Sequence, residues 1–166
     1  MSFSFLPTWV CDNITQIDPE FLKQKNIHLI LLDFDNTIIP YTTNIPTEET
    51  IAWFDRMKDA GLKLCVVSNS HKERVPTFCQ QYGLDYITGA KKPFTVGIRK
   101  CMARYVLEAA QCVMVGDQIY TDTLGGNAAG IRTILVRSIN NHNVWLKLRH
   151  KAELPFIYMA RNRRID

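Results

Sequence analysis

The sequence predicts an α/β protein with a doubly wound (Rossmann-like), mostly parallel sheet that carries helices on both faces. Short apolar runs without polar alternation recur along the chain, as expected for strands that are covered on both faces. Segments with helical spacing separate these runs, and this alternation is typical of right-handed βαβ units. The length of 166 residues corresponds to about one domain, and 46% hydrophobic with 22% charged residues is typical of a globular protein.

The predicted strands are four apolar runs and one weaker run, all rich in Ile, Leu and Val. In chain order the runs cover residues 28–32, 62–67, 85–88, 112–115 and 132–136, of which 85–88 is the weaker one. In sheets of this kind, ligands bind at the carboxyl ends of the strands. We therefore expect the chemistry of the protein to lie directly after each run.

Four helices are predicted between these strands. Thr47 is a suitable N-cap for the first, because Glu48 and Glu49 follow it where the helix dipole favours negative charge. Pro93 suits the first turn of the third helix, and glycines end the other three. The predicted helices cover residues 47–61, 73–83, 93–105 and 121–130.

The predicted organisation is one domain with three parts. Residues 1–27 are predicted to be an N-terminal arm, 28–136 the catalytic core and 137–166 a basic tail. The tail has seven Lys and Arg against two acidic residues, a balance of +5, and a helix is expected near residues 144–150. Its interleaved apolar and basic side chains suit an anionic membrane surface, and packing of the tail on the core is the alternative.

Neither a membrane-spanning helix nor a signal peptide is expected from the sequence. No stretch reaches the roughly 18 apolar residues that a spanning helix needs, and the N-terminus lacks the regions of a signal peptide. The five cysteines include no CxxC pair and lie mostly in apolar runs, so we expect buried thiols in a reducing compartment. The expected location is the cytoplasm. If the basic tail binds an anionic membrane, the protein is expected to lie at the membrane periphery.

The first strand is followed by Asp33-Phe34-Asp35-Asn36-Thr37. Two carboxylates at positions i and i+2 point the same way, and like charges this close oppose each other's ionisation unless a cation or a proton intervenes. The pattern suits an ionised carboxylate, as nucleophile or ligand, beside a neighbour that takes a proton. An ordinary turn is the alternative interpretation.

The later strand ends carry groups suited to a phosphate or a metal ion. Ser68 and Asn69 offer a hydroxyl and backbone N–H groups to an oxyanion, and the proline after Lys92 favours an extended backbone that lets the lysine point over the sheet edge. Asp117 and Asp122 supply the hard oxygen ligands that Mg²⁺ prefers. Taken alone, Ser68 and Asn69 are more typical of a loop or a cap, Lys92 is more typical of a solvated surface, and a turn is the alternative for the two aspartates. The argument for function is therefore their coincidence.

This combination resembles the motifs of the haloacid dehalogenase (HAD) superfamily over about residues 28–136. Within the superfamily, the residues around these motifs are similar to the YqeG-type phosphatases of subfamily IIIA. The matching set is Asp33-x-Asp35-x-Thr37, Ser68, Lys92-Pro93 and Gly116-Asp117 with Asp122.

The resemblance implies a Mg²⁺-dependent phosphate monoester hydrolase with an aspartyl-phosphate intermediate. Asp33 is then the nucleophile, and Asp35 acts first as general acid and then as general base. The implied Mg²⁺ ligands are Asp33, the backbone carbonyl of Asp35 and Asp117, with Asp122 close by. The implied phosphoryl-binding residues are Thr37, Ser68, Asn69 and Lys92.

The spacing between the motifs leaves no room for a large cap domain, so an open catalytic edge is expected. The expected partner is a phosphorylated small molecule or a lipid head group, and the resemblance makes phosphatidylglycerophosphate the first candidate. Soluble nucleotide or sugar phosphates, and a non-catalytic regulatory binding protein, are the alternatives. Nucleic-acid binding is not expected because no recognition motif accompanies the basic tail, and an oligomer is compatible with the sequence.

Overall fold

The computed structural model describes residues 4–139 and 155–165 of the chain. Six parallel strands form one sheet in the order β1–β6–β5–β2–β3–β4. The strands are β1 (Trp9–Cys11), β2 (Leu29–Leu32), β3 (Lys63–Val67), β4 (Asp85–Ile87), β5 (Cys112–Gly116) and β6 (Arg132–Val136). The predicted fold class is confirmed, and each of the five predicted strands is present.

Helices cover both faces of this sheet, as predicted. They are α1 (Pro19–Gln24), α2 (Glu48–Asp59), α3 (Arg74–Gln81), α4 (Val96–Tyr105) and α5 (Leu124–Ala129). Alternate residues of β2 point to opposite faces: Ile30 and Leu32 join the core under α1, α2 and α3, whereas Leu29 and Leu31 join the core under α4 and α5. Because all four are fully buried, β2 has the continuous apolar sequence of a strand covered on both sides.

The helix boundaries follow the predicted signals with two exceptions. Thr47 caps α2 by accepting a hydrogen bond from the Thr50 amide at 3.2 Å. Helix α4 begins at Val96 rather than at Pro93, because residues 91–94 form a turn in which the Phe94 amide donates to the Lys91 carbonyl at 2.9 Å. The fourth predicted helix is divided into a π-helical turn, Ile119–Thr123, and α5.

Strand β1 and helix α1 lie in the predicted N-terminal arm and were not expected from the sequence. Strand β1 pairs with β6, with Trp9 opposite Ile134. At the outer side of β1, the Ile165 amide donates to the Val10 carbonyl at 3.0 Å. The N-terminal arm and the end of the tail therefore extend the sheet beyond the predicted core.

The described part of the tail packs on this edge. Residues 155–160 are helical, the Arg163 guanidinium donates to the Pro7 carbonyl at 2.8 Å, and Arg164 donates to the Asp12 carboxylate at 2.6 Å. The helix expected near residues 144–150 lies outside the described residues.

All five thiols are free and buried, as the sequence predicts. Among the helices of the described segments, none has the length and apolar character that crossing a bilayer requires.

Candidate active site

The predicted site residues gather at the carboxyl edge of the sheet, around β2. Strands β3 and β4 lie on one side of β2, and β5 and β6 on the other, which makes β2 the switch point where sheets of this class bind ligands. Asp33 follows β2, Ser68 follows β3 and Asp117 follows β5. Since neighbouring parallel strands end at one edge, side chains from distant parts of the sequence meet there.

Three carboxyl groups form an acidic cluster at this edge. Asp33, Asp117 and Asp122 each place one oxygen within 4.8 Å of the others, and they are only 8%, 9% and 2% exposed. Gly116 makes room for the cluster, since a Cβ at this position would lie 2.6 Å from the Cβ of Asp122. The glycine therefore permits the close approach of Asp122 to the end of β5.

Lys92 is the cation of this cluster. Its Nζ lies 2.6 Å from Asp33 Oδ1 and 2.7 Å from Asp122 Oδ1, and its side chain is 1% exposed. Burial alone would lower the pKa of Lys92, but the charges of Asp122 and Asp33 outweigh burial and raise it. Burial raises the pKa of Asp122 to about 6, against the opposing effect of Lys92. The ammonium is therefore retained at neutral pH.

The donor set of this group fits a divalent cation. Asp33, Asp117 and Asp122 bring one carboxylate oxygen each close together in a buried place, and like charges this close oppose each other's ionisation unless a cation lies between them. Carboxylate oxygens are also the ligands that Mg²⁺ prefers. The chemistry of the donor set therefore fits Mg²⁺, and Asp33, Asp117 and Asp122 are the side chains that could hold it.

The carboxyl group of Asp35 interacts with Arg74. Its Oδ1 accepts from Arg74 Nη1 at 2.7 Å, and its side chain is 23% exposed. Burial raises the pKa of Asp35; Arg74 opposes this effect and the charge of Asp33 adds to it. A raised pKa increases the protonated fraction, which a group that donates a proton needs.

The remaining predicted residues surround Asp33 and Lys92 in different ways. Thr37 and Ser68 are 3% and 2% exposed, and the Thr37 hydroxyl lies 3.5 Å from Asp33 Oδ2. The side chain of Asn69 is directed at the backbone of Lys92, where it accepts from the amide at 2.6 Å and donates to the carbonyl at 2.9 Å. Asn69 thus positions the lysine, which the sequence did not indicate.

Arg74 is the residue at this edge that sequence reasoning missed. It lies at the start of α3, in a polar stretch directly after Ser68 and Asn69. The sequence signal for Arg74 was a basic residue shortly after the end of β3. This signal is weak because surface arginines are common.

Comparisons with known proteins agree with this geometry. A family model described as HAD-hydrolase-like matches residues 89–155. The chain is 39% identical over 132 residues to the probable phosphatase YqeG of Bacillus subtilis, covering 80% of this chain and 77% of that protein. The chain belongs to the YqeG-type family of HAD phosphatases. The family resemblance predicted from the motifs is confirmed, and this YqeG-type protein is a phosphatase.

Solved structures show the same fold. A putative subfamily III A HAD hydrolase from Legionella pneumophila has a TM-score of 0.53 at 13% identity, over 85% of this chain and 93% of that chain. The 3-deoxy-D-manno-octulosonate 8-phosphate phosphatase of Moraxella catarrhalis, solved with magnesium and phosphate ions, has a TM-score of 0.51 at 16% identity, over 86% and 98%. The HAD-like fold is therefore established, and no large cap is inserted in the described segments.

Proposed function

We propose that this YqeG-type phosphatase hydrolyses phosphate monoesters through an aspartyl-phosphate on Asp33, with Mg²⁺ as cofactor. The observation that carries the proposal is the acidic cluster of Asp33, Asp117 and Asp122 around the buried ammonium of Lys92. The magnesium and phosphate ions in the Moraxella relative support the same chemistry.

In the first step, a carboxylate oxygen of Asp33 forms a bond to phosphorus while the ester P–O bond breaks. Asp35 transfers its proton to the departing alcohol oxygen. In the second step, Asp35 takes a proton from water, whose oxygen binds phosphorus as the bond to Asp33 breaks. Inorganic phosphate leaves, and Asp33 is regenerated as a carboxylate.

Lys92, Ser68, Thr37 and the backbone near Asn69 bind the phosphoryl oxygens in this proposal. Their contribution is electrostatic, because negative charge on the transferring group must be stabilised in the transition state. Asp33, the carbonyl of Asp35 and Asp117 would hold Mg²⁺ with Asp122 beside them, and the bound ion would supply positive charge to stabilise the transferring phosphoryl group.

The substrate we favour is phosphatidylglycerophosphate or another phosphate that is accessible at an open edge. The absence of a large cap in the described segments supports an open site. A soluble sugar phosphate is the alternative, supported by the substrate named for the Moraxella relative.

Docking of the basic tail on an anionic membrane is part of the lipid proposal. The contacts of Arg163 with Pro7 and of Arg164 with Asp12 favour packing of these two side chains on the N-terminal arm. Flotation with phosphatidylglycerol vesicles tests the docking: binding should be clear at low salt and weaken as salt screens the charges. No binding at low salt would contradict it.

The mechanism is tested by a screen of phosphate esters with and without Mg²⁺, including phosphatidylglycerophosphate in detergent. Wild-type protein should turn over at least one ester only when Mg²⁺ is present. Asp33→Asn should abolish turnover while circular dichroism shows an intact fold, because the amide is nearly isosteric but is not a nucleophile. Wild-type turnover by Asp33→Asn would contradict the nucleophile assignment.

A further inference from the structure

Arg74 uses every N–H donor of its guanidinium group within the protein. Nε donates to Asn44 Oδ1 at 3.0 Å, and Nη1 donates to Asp35 Oδ1 at 2.7 Å and to the Tyr41 carbonyl at 3.2 Å. Nη2 donates to the carbonyls of Pro40 and Thr43 at 3.4 and 2.8 Å. A guanidinium has five such donors, so none is left for a substrate.

Four of the five acceptors belong to residues 40–44, a segment of the connection between β2 and α2 that lies at the catalytic edge. Further hydrogen bonds hold this segment: among them, the Tyr41 amide donates to Asn36 Oδ1 at 3.3 Å, and the Thr43 amide donates to the Pro40 carbonyl at 3.2 Å. The fifth acceptor is the carboxyl group of Asp35. One side chain therefore links the connection to the proposed acid–base residue.

Aromatic rings hold the guanidinium itself in place. Its carbon lies 5.0 Å from the ring centre of Phe34 and 5.3 Å from that of Tyr41. The Phe34 ring packs edge-on against Phe78 of α3 at 5.1 Å, and Phe34 lies between the two aspartates of the first motif. Contact of a cation with an aromatic face adds to the attraction, so the orientation of Arg74 is determined from several directions.

We propose that Arg74 is a positioning residue, which fixes the Asp35 carboxyl group and residues 40–44 as one unit so that Asp35 is aimed at the ester oxygen. The inference rests on the acid–base role proposed for Asp35. A lysine in this place keeps the charge but not the planar fork, because an ammonium has three donors and no fixed plane. Charge alone is therefore insufficient for the positioning.

Comparing substrates with different leaving groups distinguishes the positioning role of Arg74 from a general loss of structure. An alkyl ester releases a strongly basic alkoxide that needs the proton of Asp35, whereas p-nitrophenolate leaves without one. The ratio kcat/KM reports the transfer of phosphate to Asp33, the step in which this proton is donated. Misplacing Asp35 should therefore reduce kcat/KM for an alkyl phosphate far more than for p-nitrophenyl phosphate.

The experiment compares kcat/KM of full-length wild type, Arg74→Lys and Arg74→Ala for glycerol 1-phosphate and p-nitrophenyl phosphate at saturating Mg²⁺. Both variants should lose at least about tenfold more activity on the alkyl ester, a lower limit set below the roughly 10²–10⁴-fold contribution of general acid–base catalysis because Asp35 is displaced but still present. Arg74→Lys provides the measurement if Arg74→Ala fails to fold. The matched control is Arg99→Ala, since Arg99 is an exposed arginine whose Nε donates to the Thr95 hydroxyl at the start of α4. Its losses on the two esters should be equal.

Asp35→Asn in the same assay separates failure of this inference from failure of the proposed function. If Asp35→Asn reduces both esters equally, the acid role of Asp35 is wrong and the inference is overturned with it. If Asp35→Asn is selective but both Arg74 variants reduce the two esters equally, Arg74 supports the fold only and the inference alone is overturned. Selective loss in Asp35→Asn and in the Arg74 variants supports both.

Discussion

Replacing Lys92 by methionine removes one buried charge and retains most of the side-chain length. In the wild type, Nζ lies 2.6 Å from Asp33 and 2.7 Å from Asp122; in the variant, the two carboxylates lack this cation. Removing one partner of a buried ion pair lowers the free energy of unfolding by about 3–5 kcal/mol. For a domain of this size, each kcal/mol lowers Tm by about 2–4 °C, so we expect Lys92→Met to melt roughly 6–20 °C below wild type without metal.

The size of this loss should depend on pH. Burial raises the pKa of Asp122 to about 6, and the opposing effect of Lys92 disappears in the variant. A carboxyl group whose pKa is raised in the folded state destabilises the fold increasingly as pH rises from the pKa of the unfolded chain to the pKa of the folded state, and the effect vanishes below the former. The difference in Tm between Lys92→Met and wild type should therefore shrink as pH falls from about 8 to about 5.

The assay is thermal unfolding followed by circular dichroism in EDTA at both pH values. Lys91→Met is the matched control, because it removes the same charge from the exposed neighbour of Lys92, where substitutions change stability by about 0.5 kcal/mol or less. A Tm for Lys92→Met within about 2 °C of wild type near pH 8 would refute the placement of the ammonium between the two carboxylates.

Three further predictions concern the rest of the site and the core. Gly116→Ala should lower the free energy of unfolding, measured in urea, by about 1–3 kcal/mol, because the new methyl group overlaps with Asp122. An unchanged free energy of unfolding would show that the site has space for the methyl group. Mg²⁺ should raise the Tm of EDTA-treated protein, and Asp117→Asn should abolish this rise; a rise that persists would place the ion elsewhere. Burial raises the pKa of Cys11 and Cys79 from 9.0 to about 12, so stability in urea should fall as pH rises above 9.0, where only unfolded thiols ionise. Replacing both cysteines by alanine should reduce this loss of stability. An equal loss in the variant would show that Cys11 and Cys79 do not cause it.

The central strands could be predicted because burial on both faces leaves a continuous apolar sequence, as in β2. Strand β1 could not, since its three residues become a strand only by pairing with β6. Helix α1 had local signals in Asp18 and Pro19, which form its N-cap and first turn. Its six residues are too few for helical periodicity to be recognised.

The site could be predicted where a residue's position in the fold follows from its place after a strand. Asp33 and Asp117 are of this kind. The function of Asn69 could not be predicted, since its partner is the backbone of Lys92, which has no signature in the sequence. The same holds for Arg74, because carbonyl groups supply three of its five acceptors.

The parallel pairing of β2 has a consequence for how the enzyme acquires its activity during folding. Leu29 pairs with Lys63 on one side and with Cys112 on the other, so the catalytic edge forms only after two widely separated segments have paired with β2. Non-local pairings of this kind slow folding, because chain entropy is lost before the contacts form. Recovery of turnover after dilution from denaturant should thus coincide with the slowest structural phase, which makes enzymatic activity a direct probe of sheet completion.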